Sequence, residues 1–310
     1  MASTTSDGGA RPRIGFIGVG TMGKSMARNL LKAHYQVTAY DLNPAPLDEL
    51  REFGADVATS AAACAAAGDV VITMVQGPAD VEAAALGSSG VLDGIRQDAI
   101  YVDMSTIDPT VTKKVHAVFR DRGVQMLDAP VSGGSNGARD GTLTIMVGGP
   151  AELFERLEPV FGAMGTNIIH CGDVGMGGVV KLVNNLMSAV NTAAIVEAFN
   201  LGVHAGADPR VMFDVVSKSS GSCFGLLKNT PIPGLNPDTP SSRGDEPGFM
   251  IDLMVKDLSQ AMAAAQGAGA PAMLANVAHE MYRAASNMGY GRKHTSAIRY
   301  LYEALSRAPG

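Results

Sequence analysis

Between Asp173 and Glu197 the chain carries a single charged residue, Lys181, set in Gly177-Gly178-Val179-Val180-Lys181-Leu182-Val183-Asn184-Asn185. An ammonium in so apolar a stretch is poorly hydrated. Desolvation disfavours its charged form and draws the pKa down from the usual value of about 10.4, toward the range of a general acid/base near neutral pH. On a helix Gly177, Lys181 and Asn185 fall at i, i+4 and i+8 and share one face. In this reading the glycine leaves space for a ligand, and Asn185 orients the amine or binds a substrate oxygen. The competing reading is a lysine that snorkels to solvent from an apolar helix.

A second constellation is Gly18-Val19-Gly20-Thr21-Met22-Gly23, which joins an apolar run to the helix pattern Lys24 to Leu31. Gly18 permits a tight turn, Gly20 lets backbone approach a pyrophosphate, and Gly23 lets helix and strand pack closely. The helix start, with Thr21 and Met22, supplies free N–H groups and a positive dipole end. Asp41 closes the next apolar run about 20 residues on, where a carboxylate accepts hydrogen bonds from an adenosine ribose. It would repel a 2'-phosphate, and Leu42-Asn43-Pro44 brings no arginine to bind one, so NAD is favoured over NADP. A turn residue or helix cap is the plainer alternative for Asp41.

The third is Asp128-Ala129-Pro130-Val131-Ser132-Gly133-Gly134. Ser132 and the N–H groups of Gly133 and Gly134 form a small nest suited to a carboxylate. No neighbouring histidine stands as a base for a nucleophilic serine, and a merely flexible loop is the alternative.

These groups need a frame. From Arg13 to Gly172 short apolar runs alternate with amphipathic stretches, the pattern of βαβ units around a parallel sheet. Strands are expected at 14–19, 36–41, 70–75, 100–105, 125–131, 143–148 and 167–171, with a weaker one near Asp56. After Gly172 strand signals cease and residues 179–203 read as one long helix. Further helices are expected at 208–218, 249–267, 271–288 and 295–305, around a loop from Pro231 to Pro247 that holds five of the sixteen prolines. The fold class is α/β: a Rossmann-type, doubly wound N-terminal sheet followed by an all-α domain. The expected boundaries are a tail over 1–12, a nucleotide-binding domain over 13–172 and a helical domain over 173–310.

Composition narrows the partners. The 310 residues carry a net charge of -6, no Trp and only 5% aromatics, with no Lys/Arg-rich run, which disfavours nucleic acid. Apolar stretches are interrupted by Asn, Ser, Gly and charges, so no membrane span is expected. Cys64, Cys171 and Cys223 are odd in number and far apart, pointing to a reducing compartment, the cytoplasm. The six histidines show no ligand spacing, so no metal is expected.

Taken together the motifs resemble the β-hydroxyacid dehydrogenases, closest to the 3-hydroxyisobutyrate dehydrogenase branch, over essentially the whole chain from Ile14. The likeness rests on Gly15-Phe16-Ile17-Gly18-Val19-Gly20-Thr21-Met22-Gly23, Asp128 to Gly134, Gly177-x-x-x-Lys181-x-x-x-Asn185, Gly248-Phe249-Met250 and Lys256-Asp257-Leu258. It implies reversible NAD-dependent oxidation of a short 3-hydroxy acid to its semialdehyde, in the setting of valine catabolism, at a cleft between the domains of a homodimer or homotetramer. It also implies Lys181 as general acid/base, Ser132, Gly133 and Gly134 as the carboxylate cradle, and Asn185 as a substrate-orienting residue. Val75, Gln76, Thr106 and Lys256 are implied cofactor contacts, and Phe249 a cover for the nicotinamide or a core aromatic. Ser219-Ser220-Gly221 and Asn229 to Gly234 resemble the branch's substrate stretches, with Phe224 where Trp is usual and Thr230 in place of Pro. Those departures leave open tartronate semialdehyde, serine, sulfolactaldehyde or 4-hydroxybutyrate as substrate. A fold of this kind can keep its cofactor turn after losing chemistry, so an NAD-binding protein without catalysis is the rival reading, against which Lys181 and Asn185 weigh. Imine reductases share the architecture, but a lysine on the catalytic helix speaks against that reaction.

Overall fold

The computed structural model describes residues 11–306, so the expected tail over 1–12 lies outside the described residues except for Arg11 and Pro12. The chain forms two compact units, one ending at Gly178 and the other starting at Val179. The strands are β1 (Ile14–Ile17), β2 (Val37–Tyr40), β3 (Asp56–Val57), β4 (Val70–Thr73), β5 (Ile100–Asp103), β6 (Gln125–Asp128), β7 (Val131–Ser132), β8 (Leu143–Gly148) and β9 (Gly165–Gly172). Around them run α1 (Thr21–Lys32), α2 (Ala45–Glu52), α3 (Ala61–Ala67), α4 (Pro78–Leu86), α5 (Val91–Gly94), α6 (Pro109–Asp121), α7 (Gly134–Asp140) and α8 (Ala151–Gly162).

Every residue of β1, β4 and β5 is buried. Alternate side chains feed two cores: Ile14, Phe16, Val70, Ile72, Ile100 and Val102 on one face, Ile17, Val71 and Tyr101 on the other. Helices on both faces are the reason these strands read as continuous apolar runs. The sheet order is β3-β2-β1-β4-β5-β6-β8-β7, with β9 on β8. The chain therefore reverses its winding between β1 and β4, the switch point beside which ligands of such sheets bind.

Two expectations need correction. The run 125–131 is two strands: the Ala129 N–H makes the last ladder bond to β5, on the Asp103 carbonyl at 2.7 Å, and Pro130 has no N–H to carry the ladder further. The sheet is also not wholly parallel, since β8 runs antiparallel to β6 and β7.

The second unit contains no named strand among its described residues. It holds most of α9 (Met176–His204), then α10 (Pro209–Val216), α11 (Phe224–Asn229), α12 (Ile251–Gly267), α13 (Met273–Ala285) and α14 (Arg299–Leu305). Its core joins Ala189 and Val196 of α9 to Met254 and Leu258 of α12 and Ala278 and Tyr282 of α13. The helix expected over 271–288 ends at Ala285 and continues as a π turn to Tyr290, where Gly289 takes φ +92°. Residues 295–298 wind as a 3₁₀ turn before α14, and α11 was not anticipated. The loop from Pro231 to Pro247 holds one 3₁₀ turn, and buried Asp245 near its end accepts both Arg299 guanidinium bonds at 2.6 and 2.8 Å.

The long helix begins three residues earlier than its apolar pattern, because a carboxylate receives its first turn. Asp128 Oδ1 accepts the Gly175 N–H at 2.6 Å and Oδ2 the Gly178 N–H at 2.9 Å. A negative charge is favoured at the positive end of a helix. By length and composition α9 could cross a membrane, with mean hydropathy 1.4 in its most apolar window. Its role here is that of a core helix: Lys181 and Asn185 are buried and Asn185 is bonded to α12.

Candidate active site

The first unit gathers the nucleotide-binding candidates behind the carboxyl ends of its strands. Gly18 has φ +89°, and a Cβ there would lie 2.4 Å from the Met74 carbonyl, so only glycine fits the turn. A Cβ on Gly20 would meet open space, which suits the approach of a phosphate rather than a packing need. At Gly23 it would lie 1.9 Å from the Gly18 carbonyl, so the third glycine seats α1 against β1. Thr21 and Met22 open α1, whose N-cap Gly20 has no side-chain hydrogen bond, leaving N–H groups for an anion.

Asp41 follows β2 and works on the protein itself. Its Oδ2 accepts the Val19 N–H and its Oδ1 the Asn43 N–H, both at 2.8 Å. Each oxygen keeps a lone pair for a ribose hydroxyl. The neighbouring Leu42 is 90% exposed and offers no charge to a 2'-phosphate. Val75 and Gln76 follow β4 and Thr106 follows β5, on the far side of the switch point from the glycine turn.

Ser132 ends β7, and Gly133 and Gly134 lead into α7 with φ +135° and +61°. Both glycines are exposed, with backbone conformations that a side chain would strain. The histidine rings of His170, His204, His279 and His294 are bonded to the Gly149 carbonyl, the Asn200 carbonyl, Ser259 and Ser296, not to Ser132. Among the described residues no group of three His, Cys, Asp or Glu could hold a metal ion.

The second unit holds Lys181 and Asn185 in a buried chain of polar contacts. Lys181 Nζ donates to Asn185 Oδ1 at 3.0 Å, and Asn185 Nδ2 donates to Asp257 Oδ2 at 2.6 Å. Asp257 Oδ1 lies 3.1 Å from Lys256 Nζ. Lys181, Asn185 and Asp257 are 7%, 4% and 2% exposed, so the lysine does not snorkel to solvent. Burial pushes its pKa down from 10.5 to about 8; Asp257 pulls it up and Lys256 presses it down again. Acceptance from the lysine at Oδ1 and donation to the carboxylate from Nδ2 fix which way the Asn185 amide points.

Asp257 is not among the site residues expected from the sequence, although it lies in the Lys256-Asp257-Leu258 motif. The available signal was an acid beside Lys256 in a helix whose face carries Met254, Leu258 and Ala261 inward. Lys256, expected as a cofactor contact, is here an ion-pair partner of that acid. Gly177, by contrast, does not open a ligand space. A Cβ there would lie 2.3 Å from the Met146 carbonyl and 2.9 Å from Asp128 Oδ2, so the missing side chain admits the backbone of β8 and the Asp128 carboxylate.

Comparison with known proteins follows the same division of the chain. Residues 13–172 match the family model described as the NAD binding domain of 6-phosphogluconate dehydrogenase, and residues 175–301 the model for NAD-binding of NADP-dependent 3-hydroxyisobutyrate dehydrogenase. The mitochondrial 3-hydroxyisobutyrate dehydrogenase of Rattus norvegicus is 38% identical over 94% of this chain and 87% of its own. The NAD-dependent L-serine dehydrogenase of Pseudomonas aeruginosa is 42% identical over 94% and 98%. Among solved structures, 3-hydroxyisobutyrate dehydrogenase of Mycobacterium tuberculosis with L-serine superposes with a TM-score of 0.89 at 36% identity, covering 96% of this chain and all of the other.

The geometry at Asp41 sets a test of cofactor choice. Replacing Asp41 by Ser and Leu42 by Arg removes the repelling carboxylate and adds a phosphate partner. The NADP/NAD ratio of kcat/KM then rises by at least about tenfold, while activity with either cofactor falls as Val19 loses its tie. A wild-type protein that already prefers NADP in competition assays contradicts this assignment.

Proposed function

Since the chain belongs to the β-hydroxyacid dehydrogenase family, whose members include 3-hydroxyisobutyrate dehydrogenases and an NAD-dependent L-serine dehydrogenase, we propose that its substrate is a short 3-hydroxy acid of the 3-hydroxyisobutyrate type, oxidised reversibly with NAD to the semialdehyde. The observation that carries this reading is a buried lysine held near neutrality, 3.0 Å from an amide that is itself locked to a carboxylate. NAD, when bound, would accept the hydride. In the oxidation Lys181, as the neutral amine, takes the hydroxyl proton; in the reduction the ammonium returns it to the carbonyl oxygen. Asn185 holds the amine and positions the oxygen, and Asp257 acts as the positioning residue that keeps Asn185 in register.

In the first unit the glycine turn 18–23 with Thr21 and Met22 receives the pyrophosphate, Asp41 the adenosine ribose, and Val75, Gln76 and Thr106 the nicotinamide half. Ser132, Gly133 and Gly134 bind the substrate carboxylate through a hydroxyl and backbone N–H groups. Lys256 contributes to the cofactor side through its charge.

L-Serine is the second reading. It shares the primary hydroxyl and the carboxylate and differs by an ammonium where 3-hydroxyisobutyrate has a methyl. The L-serine dehydrogenase among the relatives and the related structure bound to L-serine support it. Initial rates on a panel of 3-hydroxy acids with NAD and NADP separate the two.

We also propose a homodimer or homotetramer in a reducing compartment, the cytoplasm. The second unit exposes Val183 and Met187 on α9, Val211 and Val215 on α10, and Leu274 and Val277 on α13, all at least half exposed. So much unpaired apolar surface favours a symmetric partner. Cys64, Cys171 and Cys223 are free, in keeping with a reducing environment.

Three outcomes follow from these assignments. Lys181→Met lowers kcat by at least about a hundredfold with NAD affinity unchanged. In the wild type kcat/KM for oxidation rises with pH through about 8, as the amine loses its proton. The same variant keeps or gains stability at pH 7. The folded pKa lies below the unfolded one, so stability grows as pH rises from about 8 to 10.5, by up to ~3 kcal/mol, and below that window the buried charge is a net cost. Asn185 Oδ1 retains the Asn184 Nδ2 donor at 3.1 Å when the lysine is gone. A variant that keeps most of its turnover refutes the proton-transfer role.

At the carboxylate loop, free acids turn over far better than methyl esters, and Ser132→Ala chiefly raises KM, by about tenfold for one lost hydrogen bond to a charged group. Equal turnover of esters, or covalent labelling of Ser132 by a fluorophosphonate, reverses the assignment. Light scattering gives a mass at least twice 32.0 kDa, and Leu274→Asp with Val277→Asp reduces it. A monomeric wild type removes the oligomer proposal.

A further inference from the structure

One buried acid in the first unit has no part in the chemistry assigned so far. Asp103, the last residue of β5, is 1% exposed. Its Oδ1 accepts the Thr73 hydroxyl at 2.8 Å and the Ser105 N–H at 3.1 Å. Because the Thr73 proton is committed to Asp103, the Tyr101 hydroxyl donates to Thr73 Oγ1, also at 2.8 Å. Tyr101 is fixed in turn by stacking on Phe119, with ring centroids 4.5 Å apart. The carboxylate thus ends a donor chain that ties the last residue of β4 to the last residue of β5.

The next link leads out of the core. Ser105 Oγ accepts the Val75 N–H at 2.9 Å. Val75 lies in the segment after β4 and Ser105 in the segment after β5, so one serine receives its place from Asp103 and gives Val75 its own. The glycine turn is held separately, by Gly18 N–H on the Tyr40 carbonyl at 2.9 Å and Val19 N–H on Asp41. Two carboxylates, at the ends of β2 and β5, therefore fix two different stretches of the same edge.

We propose that Asp103 is a positioning residue for the cofactor: through Ser105 it sets the segments 74–76 and 104–106, and so determines how the nicotinamide half is held. This rests on the reading of Val75, Gln76 and Thr106 as nicotinamide-side contacts. Keeping an acid at this depth costs stability. Burial pushes its pKa up to about 6, with Asp128 on the adjoining strand adding to the rise and the Ser105 and Thr73 bonds opposing it. The bonds of an ionised acceptor are about twice as strong as those of a neutral one, which is what a positioning group requires.

The test separates the two ends of the cofactor. Affinity is measured for NADH by fluorescence and for ADP-ribose, which lacks the nicotinamide, by competition, together with kcat and KM. In Asp103→Asn and Ser105→Ala the NADH Kd rises about tenfold and kcat falls, while the ADP-ribose Kd stays within about twofold. Ser105→Ala keeps the test alive if the buried acid proves necessary for folding. NADH binding and kcat unchanged in both variants overturn the proposal, as does an equal loss for both ligands, which marks general loosening. Thr106→Phe, which fills the nicotinamide side, serves as control. If it too leaves NADH binding intact, the reading of these segments falls and the proposal falls with it. If the control weakens NADH and the two latch variants do not, the segments bind the nicotinamide and Asp103 does not position them.

Discussion

The second unit depends on burying one ammonium without giving it a direct counter-ion. A carboxylate in contact with Lys181 would raise its pKa and hold the proton too firmly for exchange at neutral pH. Here the contact is the neutral amide of Asn185, and Asp257 stands one hydrogen bond further on. Distance weakens the attraction while burial keeps its full effect, and the result is a lysine near 8. Lys256 completes the balance by like-charge repulsion, with its ammonium 3.1 Å from the other oxygen of Asp257. The packing of α9 against α12 thereby tunes the lysine, since their separation sets how much of the acid it feels.

The first unit uses carboxylates differently, as receivers of backbone. Asp41, Asp103 and Asp128 stand at or just beyond the ends of β2, β5 and β6, and each accepts main-chain N–H groups from a segment that leaves regular structure. Loops at this edge must have definite conformations to meet a ligand, yet they lack the ladder bonds of the strands. An acid at the strand end supplies the missing acceptors. Asp128 does so for the first turn of α9, which is why that helix can start among glycines that have poor helix propensity.

Family membership fits this arrangement. The glycine turn falls within the part that matches the NAD-binding model, and the lysine and amide on α9 within the part that matches 3-hydroxyisobutyrate dehydrogenase. What distinguishes relatives named for 3-hydroxyisobutyrate from one named for L-serine is chemistry at one substituent, methyl against ammonium, beside a carboxylate and hydroxyl common to both.

Much was legible in the sequence because the signals were local. Buried strands show as apolar runs, Gly18 and Gly23 follow from backbone sterics, and a lone lysine in an apolar helix announces its own desolvation. The break at Pro130, the antiparallel course of β8 and the start of α9 were not legible, because each depends on a partner far along the chain. Asp257 meets Asn185 across 72 residues, Asp128 meets Gly175 across 47, and Thr73 meets Asp103 across 30. Residue types and periodicity determined which groups would be buried and which backbone turns were possible. Only the tertiary structure decided which donor each buried carboxylate receives, because hydrogen bonds act over about 3 Å and that contact is set by strand order and helix packing, not by spacing.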